Sequence, residues 1–459
     1  MIPKYQSLVF IEKVLYTSRR GDKKRLPHLI DERNVQYSMQ DKQNKMFISR
    51  RKAIAGLLAV GTGLSINLAS TSASFAATLS SFDTNPTPQK FKATIKTSHL
   101  TLKHQKAAKK ASKISLKTYQ LKTNSQAKPL AVADSKATFS AYPVKTSSDP
   151  ELGSIVTGDD GSSFWFVEGG ANRIGKITTQ GAITEYLLPL SGYEPSGIAN
   201  GPGDTFWFTY SGGSTSYIGR MIGASGQVTL YQLPISTQGG NITRGPNNTL
   251  WFVSGSNIVG SVTTDGSLTL YTVSGILRTF SIATGSDGAL WFTYDGDPAN
   301  SDPANGVGRI TTDGSVTLYP VSNASIYDIK TGRANDLWFP VFEDVNGPDV
   351  RVIGRITVDG TLTTYDVTSL LKGNAYPIAV AHLGNGTFAF GTGQEGGKGN
   401  NYQYVGTITP SGDVQAFQTP NADQVISMVY AGWANEVWFT STDKNNNSKY
   451  KIYKFRVTN

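Results

Sequence analysis

The stretch LWFVSGSNIVGSVTTDGSLTLYTV, residues 250–273, contains three short strands separated by turns. The first strand carries an aromatic anchor at Trp251, and the second carries a small residue at Gly260. The turn Asp265-Gly266 follows, and Asp-Gly pairs supply the positive φ angles that a two-residue hairpin requires. The third strand ends in an aromatic residue, Tyr271. The alternation of apolar and polar residues with period two, together with the turns, predicts that this stretch forms an antiparallel sheet.

The same pattern recurs six more times, at intervals of roughly 40–50 residues. A short apolar strand precedes each anchor, so each unit holds four strands. In order, the anchor positions are Trp165, Trp207, Trp251, Trp291, Trp338, Ala389 and Trp438. A single four-stranded sheet cannot bury both of its faces, but sheets packed radially cover one another. The sequence therefore predicts an all-β fold, a seven-bladed β-propeller with four-stranded blades.

The ends of the repeat region predict how the ring closes. The seventh unit stops one strand short, at residues 453–457. Residues 137–144, ATFSAYPV, match the missing outer strand, as a comparison with TLYPV at 317–321 shows. We therefore expect the N-terminal strand to complete the last blade, and we place the propeller at 137–459.

Residues 46–76 have the layout of a signal peptide. Arg50, Arg51 and Lys52 precede a mild apolar run, and Ser74-Phe75-Ala76 forms a small-x-small cleavage site. The Arg pair resembles a twin-arginine export signal. Two alternatives are a short buried helix and an uncleaved anchor. Residues 1–45 form an upstream extension to which we assign no fold, because Met46 is an alternative start.

Residues 77–136 are rich in Lys, Ser and Thr and contain few apolar residues. Such a segment cannot bury enough surface to offset its ordering entropy, so we expect a disordered basic linker. It would either lie against an anionic envelope surface or act as a passive tether. Together with the signal, it predicts a secreted or envelope-associated protein.

The charge is divided unevenly along the chain. Residues 1–145 hold 26 Lys and Arg against 7 Asp and Glu, whereas residues 146–459 hold 17 against 26. The propeller is therefore mildly acidic, which argues against nucleic acid as a partner because phosphate binding needs a basic face. The chain has no Cys, which excludes disulfides and thiolate chemistry.

One face of the predicted ring carries longer loops than the other. The loops between the second and third strands are long in units 4 to 7, whereas the Asp-Gly turns on the opposite face are short and uniform. An asymmetric rim on a rigid scaffold is typical of a binding surface. The alternative is sequence drift in exposed loops. We expect a monomer whose partner is a small molecule, a glycan or a peptide.

The repeats resemble those of the virginiamycin B lyase (streptogramin lyase) family, most closely in residues 164–186 and 290–321. The resemblance covers nearly all of 137–459 and implies a seven-bladed ring. It also implies a bound Mg²⁺ and opening of a cyclic depsipeptide by elimination. In the family, a His in the motif Glu-Pro-His-Gly-Ile is the base. A Glu two residues before it and another fourteen residues after it hold the metal.

The matching stretch here is EPSGIANGPGDTFWFTY, residues 194–210. Glu194 matches the first acid, Ser196 stands in place of the His, and Tyr210 stands in place of the second acid. The residues equivalent to Ser196 in the other units are Ser154, Gly240, Phe280, Tyr327, Ile378 and Ser427. The residues equivalent to Tyr210 are Glu168, Ser254, Tyr294, Val341, Thr392 and Ser441. No His is placed to act as the base, since His382 falls near a turn on the opposite face.

These replacements predict a binding protein without lyase activity, with no cofactor. The predicted ligand-binding residues are Glu168, Glu194, Ser196, Tyr210, Tyr294, Tyr327 and Tyr376. We expect Tyr210, Tyr294 and Tyr327, with Tyr376 nearby, to lie at the central opening, where they would either stack against a ligand or fill the ring. The alternative is a Mg²⁺-dependent carbon–oxygen lyase with a rearranged site, for which Glu168 and Glu194 are the metal-ligand candidates. A structural or interaction protein of the cell surface is a third reading.

Overall fold

The computed structural model describes nearly all of the predicted propeller and four short segments before it. The described residues are 109–110, 114–116, 125–126, 128–129, 136–144, 149–297, 304–321, 324–333, 335–342, 350–384, 386–394, 402–432, 435–442 and 450–458. The predicted upstream extension, 1–45, and the predicted signal peptide, 46–76, lie outside them. None of the described residues belongs to a helix with the length and apolar character needed to cross a membrane.

Seven antiparallel sheets form the blades, as the sequence predicts. Five strands precede the first blade: β1 (Lys109–Lys110), β2 (Ile114–Leu116), β3 (Ser125–Gln126), β4 (Lys128–Pro129) and β5 (Lys136–Pro143). Blade 1 holds β6 (Leu152–Thr157), β7 (Ser163–Glu168), β8 (Arg173–Thr178) and β9 (Ile183–Leu187). Blade 2 holds β10 (Glu194–Asn200), β11 (Thr205–Gly212), β12 (Thr215–Ile222) and β13 (Val228–Gln232). Blade 3 holds β14 (Ile242–Arg244), β15 (Leu250–Val253), β16 (Ile258–Val262) and β17 (Leu268–Thr272).

The remaining blades repeat this order from the inner to the outer strand. Blade 4 holds β18 (Ile276–Thr284), β19 (Leu290–Gly296), β20 (Gly306–Ile310) and β21 (Val316–Pro320). Blade 5 holds β22 (Lys330–Thr331), β23 (Asp336–Phe342), β24 (Arg351–Thr357) and β25 (Leu362–Asp366). Blade 6 holds β26 (Ala375–Gly384), β27 (Thr387–Gln394), β28 (Tyr404–Ile408) and β29 (Asp413–Gln418). Blade 7 holds β30 (Gln424–Tyr430), β31 (Glu436–Thr442) and β32 (Tyr450–Thr458).

The N-terminal strand closes the ring, and this prediction is confirmed. Strand β5 pairs antiparallel with β32 along its whole length, from Lys136 opposite Thr458 to Pro143 opposite Lys451. The outer strand of blade 7 is thus supplied from the other end of the propeller sequence. Detachment of either strand would therefore leave the other without its hydrogen-bonded neighbour.

The apolar core lies between neighbouring blades, where the anchor Trp rings are buried. In blade 2, Trp207 stacks on the outer-strand Tyr231 with ring centroids 5.6 Å apart and planes 8° apart. The third-strand glycine makes room for an aromatic ring, since a Cβ on Gly219 would lie 2.1 Å from the Phe208 ring. Five further blades repeat the Trp–Tyr stack: Trp165–Tyr186, Trp251–Tyr271, Trp291–Tyr319, Trp338–Tyr365 and Trp438–Tyr142. These contacts explain why the repeat requires an aromatic residue in its last strand.

Five of these tyrosines also contact a turn glycine of the next blade around the circumference: Tyr142, Tyr231, Tyr271, Tyr319 and Tyr365. Tyr142, on the closing strand, lies over Gly181 in the turn before β9, where a Cβ would stand 2.3 Å from the Tyr142 ring. Gly181 has a φ of 92°, in the left-handed region that favours glycine. Tyr271 reaches blade 4 in the same way, and its hydroxyl donates to the carbonyl of Thr312 at 3.3 Å. The turns between the third and outer strands therefore serve both hairpin geometry and contact between blades.

Four short strands within the predicted linker pair with the outer strands of blades 3 to 6. Strands β1, β2, β3 and β4 run parallel to the outer strands β17, β21, β25 and β29 of blades 3 to 6. Outer strands present unpaired backbone groups that accept an added strand whatever its side chains, so low hydrophobicity does not prevent this pairing. The other residues of 77–135 lie outside the described ranges.

Candidate functional site

The inner strands of all seven blades surround a central channel with a cavity of about 410 Å³. Its wall includes Ser154 and Ser427 towards the face where the inner strands begin. Arg244 and Tyr430 belong to the wall at the opposite face, where those strands end. This volume suits a small ligand.

The positions equivalent to Ser196 occur where several inner strands are irregular. The pairing of inner and second strands shifts between Leu152 and Ile155, between Pro195 and Ile198, and between Thr279 and Ile282. Such β-bulges alter the direction of a side chain and are frequent beside functional sites. The propeller therefore has a ring of specialised positions at the mouth of the channel.

This ring is divided into two arcs of different chemistry. On blades 7, 1, 2 and 3 the residues are Ser427, Ser154, Ser196 and Gly240, which we call the hydroxyl arc. On blades 4, 5 and 6 they are Phe280, Tyr327 and Ile378, which we call the aromatic arc. Phe280 and Tyr327 form an edge-to-face pair with centroids 5.2 Å apart and planes at 84°. Tyr327 is 48% exposed, so its ring is accessible at the mouth.

Ser196 is hydrogen-bonded to Thr209, which is buried in the second strand of the same blade. The Thr209 hydroxyl donates to the Gly240 carbonyl of blade 3 at 2.7 Å and accepts from the Gly197 N–H at 2.9 Å. Because its single proton is used in this way, the Ser196 hydroxyl is the donor in the 3.0 Å contact between the two. No basic side chain takes part in this arrangement.

Tyr210 and Tyr294 do not lie at the channel mouth, which corrects the prediction made for them. Tyr210 is 0% exposed and packs between blades 1 and 2. Its hydroxyl lies 2.7 Å from both the Asn172 Oδ1 and the Leu190 carbonyl, and it accepts from the Leu190 N–H at 3.2 Å. Tyr294 is 2% exposed and packs between blades 3 and 4. Both rings are core residues because alternation along the strand sets them beside the buried Phe208 and Phe292.

Tyr376 lies partly buried near the start of the inner strand of blade 6. Its ring contacts Phe342 of blade 5, with centroids 4.5 Å apart. Tyr327 and Tyr376 thus belong to the neighbouring blades 5 and 6. The structure thus keeps two of the four predicted tyrosines as candidates for ligand contact.

The two predicted acidic residues lie on different blades. Glu168 ends the second strand of blade 1 on the face shared with Phe164 and Phe166, which pack against blade 7. It is 0% exposed, and neither carboxyl oxygen has a hydrogen-bond partner among the described residues. Burial, and secondarily the charge of Glu185, raises the pKa of Glu168 to about 8, although Arg173 acts in the opposite direction. Glu194 is half-buried at the start of the inner strand of blade 2, opposite Ser211.

His382 lies at the far end of the inner strand of blade 6, as the sequence predicts. Its Nδ1 accepts from the Gly384 N–H at 3.1 Å, so the ring proton is on Nε2. Burial lowers the pKa of His382, with Arg333 contributing in the same direction. This residue is therefore a neutral imidazole on the face opposite the arcs.

Sequence reasoning missed a chain of polar side chains that begins at Asn241 in the wall of the channel and continues behind it. The Asn241 Nδ2 donates to the Ser281 hydroxyl at 3.1 Å, and that hydroxyl donates to Asp328 Oδ1 at 3.1 Å. Asp328 also accepts from the Val380 N–H at 3.2 Å and pairs with Lys330 at 2.6 Å. The chain thus links the inner strands of blades 3 to 6. In the sequence, this chain of polar residues is indicated by a polar residue ten positions before the anchor in units 3, 4 and 5: Asn241, Ser281 and Asp328.

The ring of blades and the divided channel mouth define a seven-bladed β-propeller with a ligand-sized central channel. The model of the virginiamycin B lyase family matches residues 121–396 and 279–453. The chain belongs to that family.

Solved structures agree with this assignment. A streptogramin B lyase is 26% identical, with 70% of this chain and 98% of that chain covered at a TM-score of 0.57. Virginiamycin B lyase from Staphylococcus aureus is 24% identical, with 71% and 100% covered at a TM-score of 0.56. A catalytically inactive His-to-Ala variant of virginiamycin B lyase from that organism, with quinupristin, is 25% identical, with 70% and 100% covered at 0.57. No curated protein matches the sequence.

Proposed function

We propose that this chain is a non-catalytic member of the family that binds a small ligand at the mouth of its central channel. The observation that carries the proposal is the 3.0 Å contact between Ser196 and Thr209. It places a structural hydroxyl where the resemblance implies a catalytic base. A serine hydroxyl does not act as a base near neutral pH unless a neighbouring group activates it.

The acidic residues give no support to the alternative, a rearranged Mg²⁺-dependent lyase. Mg²⁺ binds through carboxylates in near-octahedral geometry. Tyr210 replaces one implied carboxylate, and its hydroxyl is bonded within the core. Glu168 is on another blade and faces blade 7. Within the described ranges, no three His, Cys, Asp or Glu side chains are grouped as ligands for a metal. The donor set does not fit the metal site that the family implies.

The two arcs favour a ligand with one apolar face and several polar groups. Aromatic rings stack on the apolar faces of sugars and on peptide side chains, while hydroxyls donate and accept hydrogen bonds on the other side. Tyr327 supplies exposed ring surface, and Ser154 and Ser427 supply hydroxyls in the cavity wall. We therefore propose a glycan or a peptide as the ligand class.

The proposed setting is the cell envelope or its exterior. It rests on the signal-like segment at 46–76 and on the basic residues that follow it in the sequence. A monomer with its channel mouth open to the exterior would present the two arcs to extracellular ligands.

Calorimetric titration with quinupristin and with chitotetraose tests the proposed site. The wild type is compared with Tyr327→Ala and with Leu187→Ala, a control that removes another exposed apolar side chain, 56% exposed in blade 1. We expect binding of at least one probe, weakened about tenfold by Tyr327→Ala and unchanged by Leu187→Ala. Equal affinities in all three proteins would contradict a site at the mouth. If neither probe gives a heat of binding, the result would favour a structural or interaction protein instead.

A further inference from the structure

The lower rim is a second ring, where the inner strands end on the face opposite the arcs. Each blade contributes the residue after the one that pairs with its anchor: Thr157, Asn200, Arg244, Thr284, Thr331, His382 and Tyr430. The ring combines four short polar side chains with Arg244, His382 and Tyr430. It lies at the opposite end of the same channel from the site proposed at the mouth.

The short polar side chains of the lower rim already have partners in the preceding blade. The Asn200 Nδ2 donates to the Thr157 carbonyl at 2.6 Å, and the Thr157 hydroxyl donates to the Tyr430 carbonyl at 3.1 Å. Likewise, Thr284 donates to the Arg244 carbonyl at 2.5 Å, and Thr331 donates to the Thr284 carbonyl at 2.6 Å. These groups hold the blades together, so the charged side chains are the groups that remain for a ligand.

Two cationic side chains belong to the cavity wall at this end. Arg244 is exposed, and its Nη2 donates to Asn248 Oδ1 at 2.7 Å. A guanidinium has five N–H donors, so this bond leaves most of them for a ligand. Lys330 lies 2.6 Å from Asp328 Oδ1, and an ammonium group has two further donors.

No carboxylate belongs to the described part of the cavity wall. Asp328 is 8% exposed and divides its charge among Lys330, Ser281 and the Val380 N–H. Asp159, which accepts from Asn200 at 3.1 Å, is an exposed residue outside the wall. The described wall at this end therefore carries the cationic side chains Arg244 and Lys330 and no carboxylate, although residues 146–459 are acidic as a whole.

We propose that Arg244 and Lys330 form a binding site for a small anion that carries a carboxylate or phosphate group. The guanidinium of Arg244 matches the geometry of both groups through paired N–H donors. Lys330 adds a second positive charge on blade 5, across blade 4 from Arg244 on blade 3. The cavity volume of about 410 Å³ admits a molecule of the size of citrate.

Calorimetric titration of the full chain with citrate and with inorganic phosphate tests this site at low and high salt. We expect the wild type to bind at least one of them, and binding to weaken as salt rises, because exposed charges are screened. Arg244→Gln should weaken binding at least tenfold. Arg456→Gln, which removes an exposed Arg of β32 outside the wall, should leave the affinity unchanged.

Lys330 requires a second pair of variants because its loss also leaves Asp328 without its cation. Lys330→Gln should weaken binding, and Lys330→Arg, which keeps the charge, should restore it, with thermal unfolding confirming that both variants fold. Failure of the wild type to bind either anion would overturn the proposal. So would equal affinities in Arg244→Gln and Arg456→Gln, or a failure of Lys330→Arg to rescue binding in a folded protein.

Discussion

The Ser196 hydroxyl donates to the Thr209 hydroxyl at 3.0 Å, and the Thr209 hydroxyl donates in turn to the Gly240 carbonyl at 2.7 Å. This chain of donors runs from blade 2 to the backbone of blade 3. The residue at the family's base position therefore stabilises the contact between two blades. Lyase chemistry would need a proton acceptor at this position.

Restoring the histidine alone should not restore lyase activity. In Ser196→His, the imidazole replaces the hydroxyl, but Tyr210 still stands where the resemblance implies a carboxylate. We expect no ring opening of quinupristin in the presence of Mg²⁺, as measured by chromatography. Ring opening by this variant would show that the base was the only missing part of the site.

Tyr210→Phe should destabilise the propeller by about 1–3 kcal/mol, because the Asn172 and Leu190 groups around the hydroxyl lose a buried partner. Urea unfolding measures this change. Tyr327→Phe is the matched control, since Tyr327 is about half exposed (48%), and we expect the stability of this variant to stay within about 0.5 kcal/mol of the wild type. A larger loss of unfolding free energy in Tyr327→Phe than in Tyr210→Phe would contradict the assignment of Tyr210 to the core.

Stability should fall as the pH rises between about 5 and 8, because of Glu168. Its pKa is raised to about 8 in the folded protein, mainly by burial. The folded state thus keeps a proton that the unfolded chain releases, so the contribution is full at low pH and lost as pH rises through 8. The slope is at most about 1.4 kcal/mol per pH unit.

Unfolding free energies of the wild type and Glu168→Gln across this pH range measure the contribution of Glu168. The glutamine cannot ionise, so we expect the difference between the two proteins to change with pH. Parallel curves would show that Glu168 is not a buried, protonated acid in the folded state.

Gly181→Ala should destabilise the propeller more than Gly192→Ala does. Both glycines have positive φ angles, 92° and 80°, so both substitutions carry similar backbone strain. Only at Gly181 would the new Cβ meet a ring, that of Tyr142 at 2.3 Å, whereas nothing lies within 4 Å at Gly192. We expect an additional loss of about 1–3 kcal/mol at Gly181, measured by urea unfolding. Equal losses would contradict the contact between Tyr142 and the turn.

The fold could be predicted because one aromatic spacing repeats along the chain and the last unit lacks a strand. The burial of Tyr210 could also be predicted, since Phe206, Phe208 and Tyr210 alternate onto one strand face. The partners of Asp328 could not be predicted, because they depend on which inner strands become neighbours in space. The pairing of β1, β2, β3 and β4 with the outer strands of the blades depends on exposed backbone groups at the sheet edges, and amino-acid composition does not predict such pairing.

The most direct test of the central claim is chromatography of quinupristin incubated with the full chain and Mg²⁺, beside Glu194→Ala and an active streptogramin B lyase. Chromatography is required because elimination within a ring leaves the mass unchanged. We predict that the active lyase opens the ring and that this chain leaves it intact. Ring opening by the wild type that is lost in Glu194→Ala would contradict the account and would place a base outside the family's usual motif.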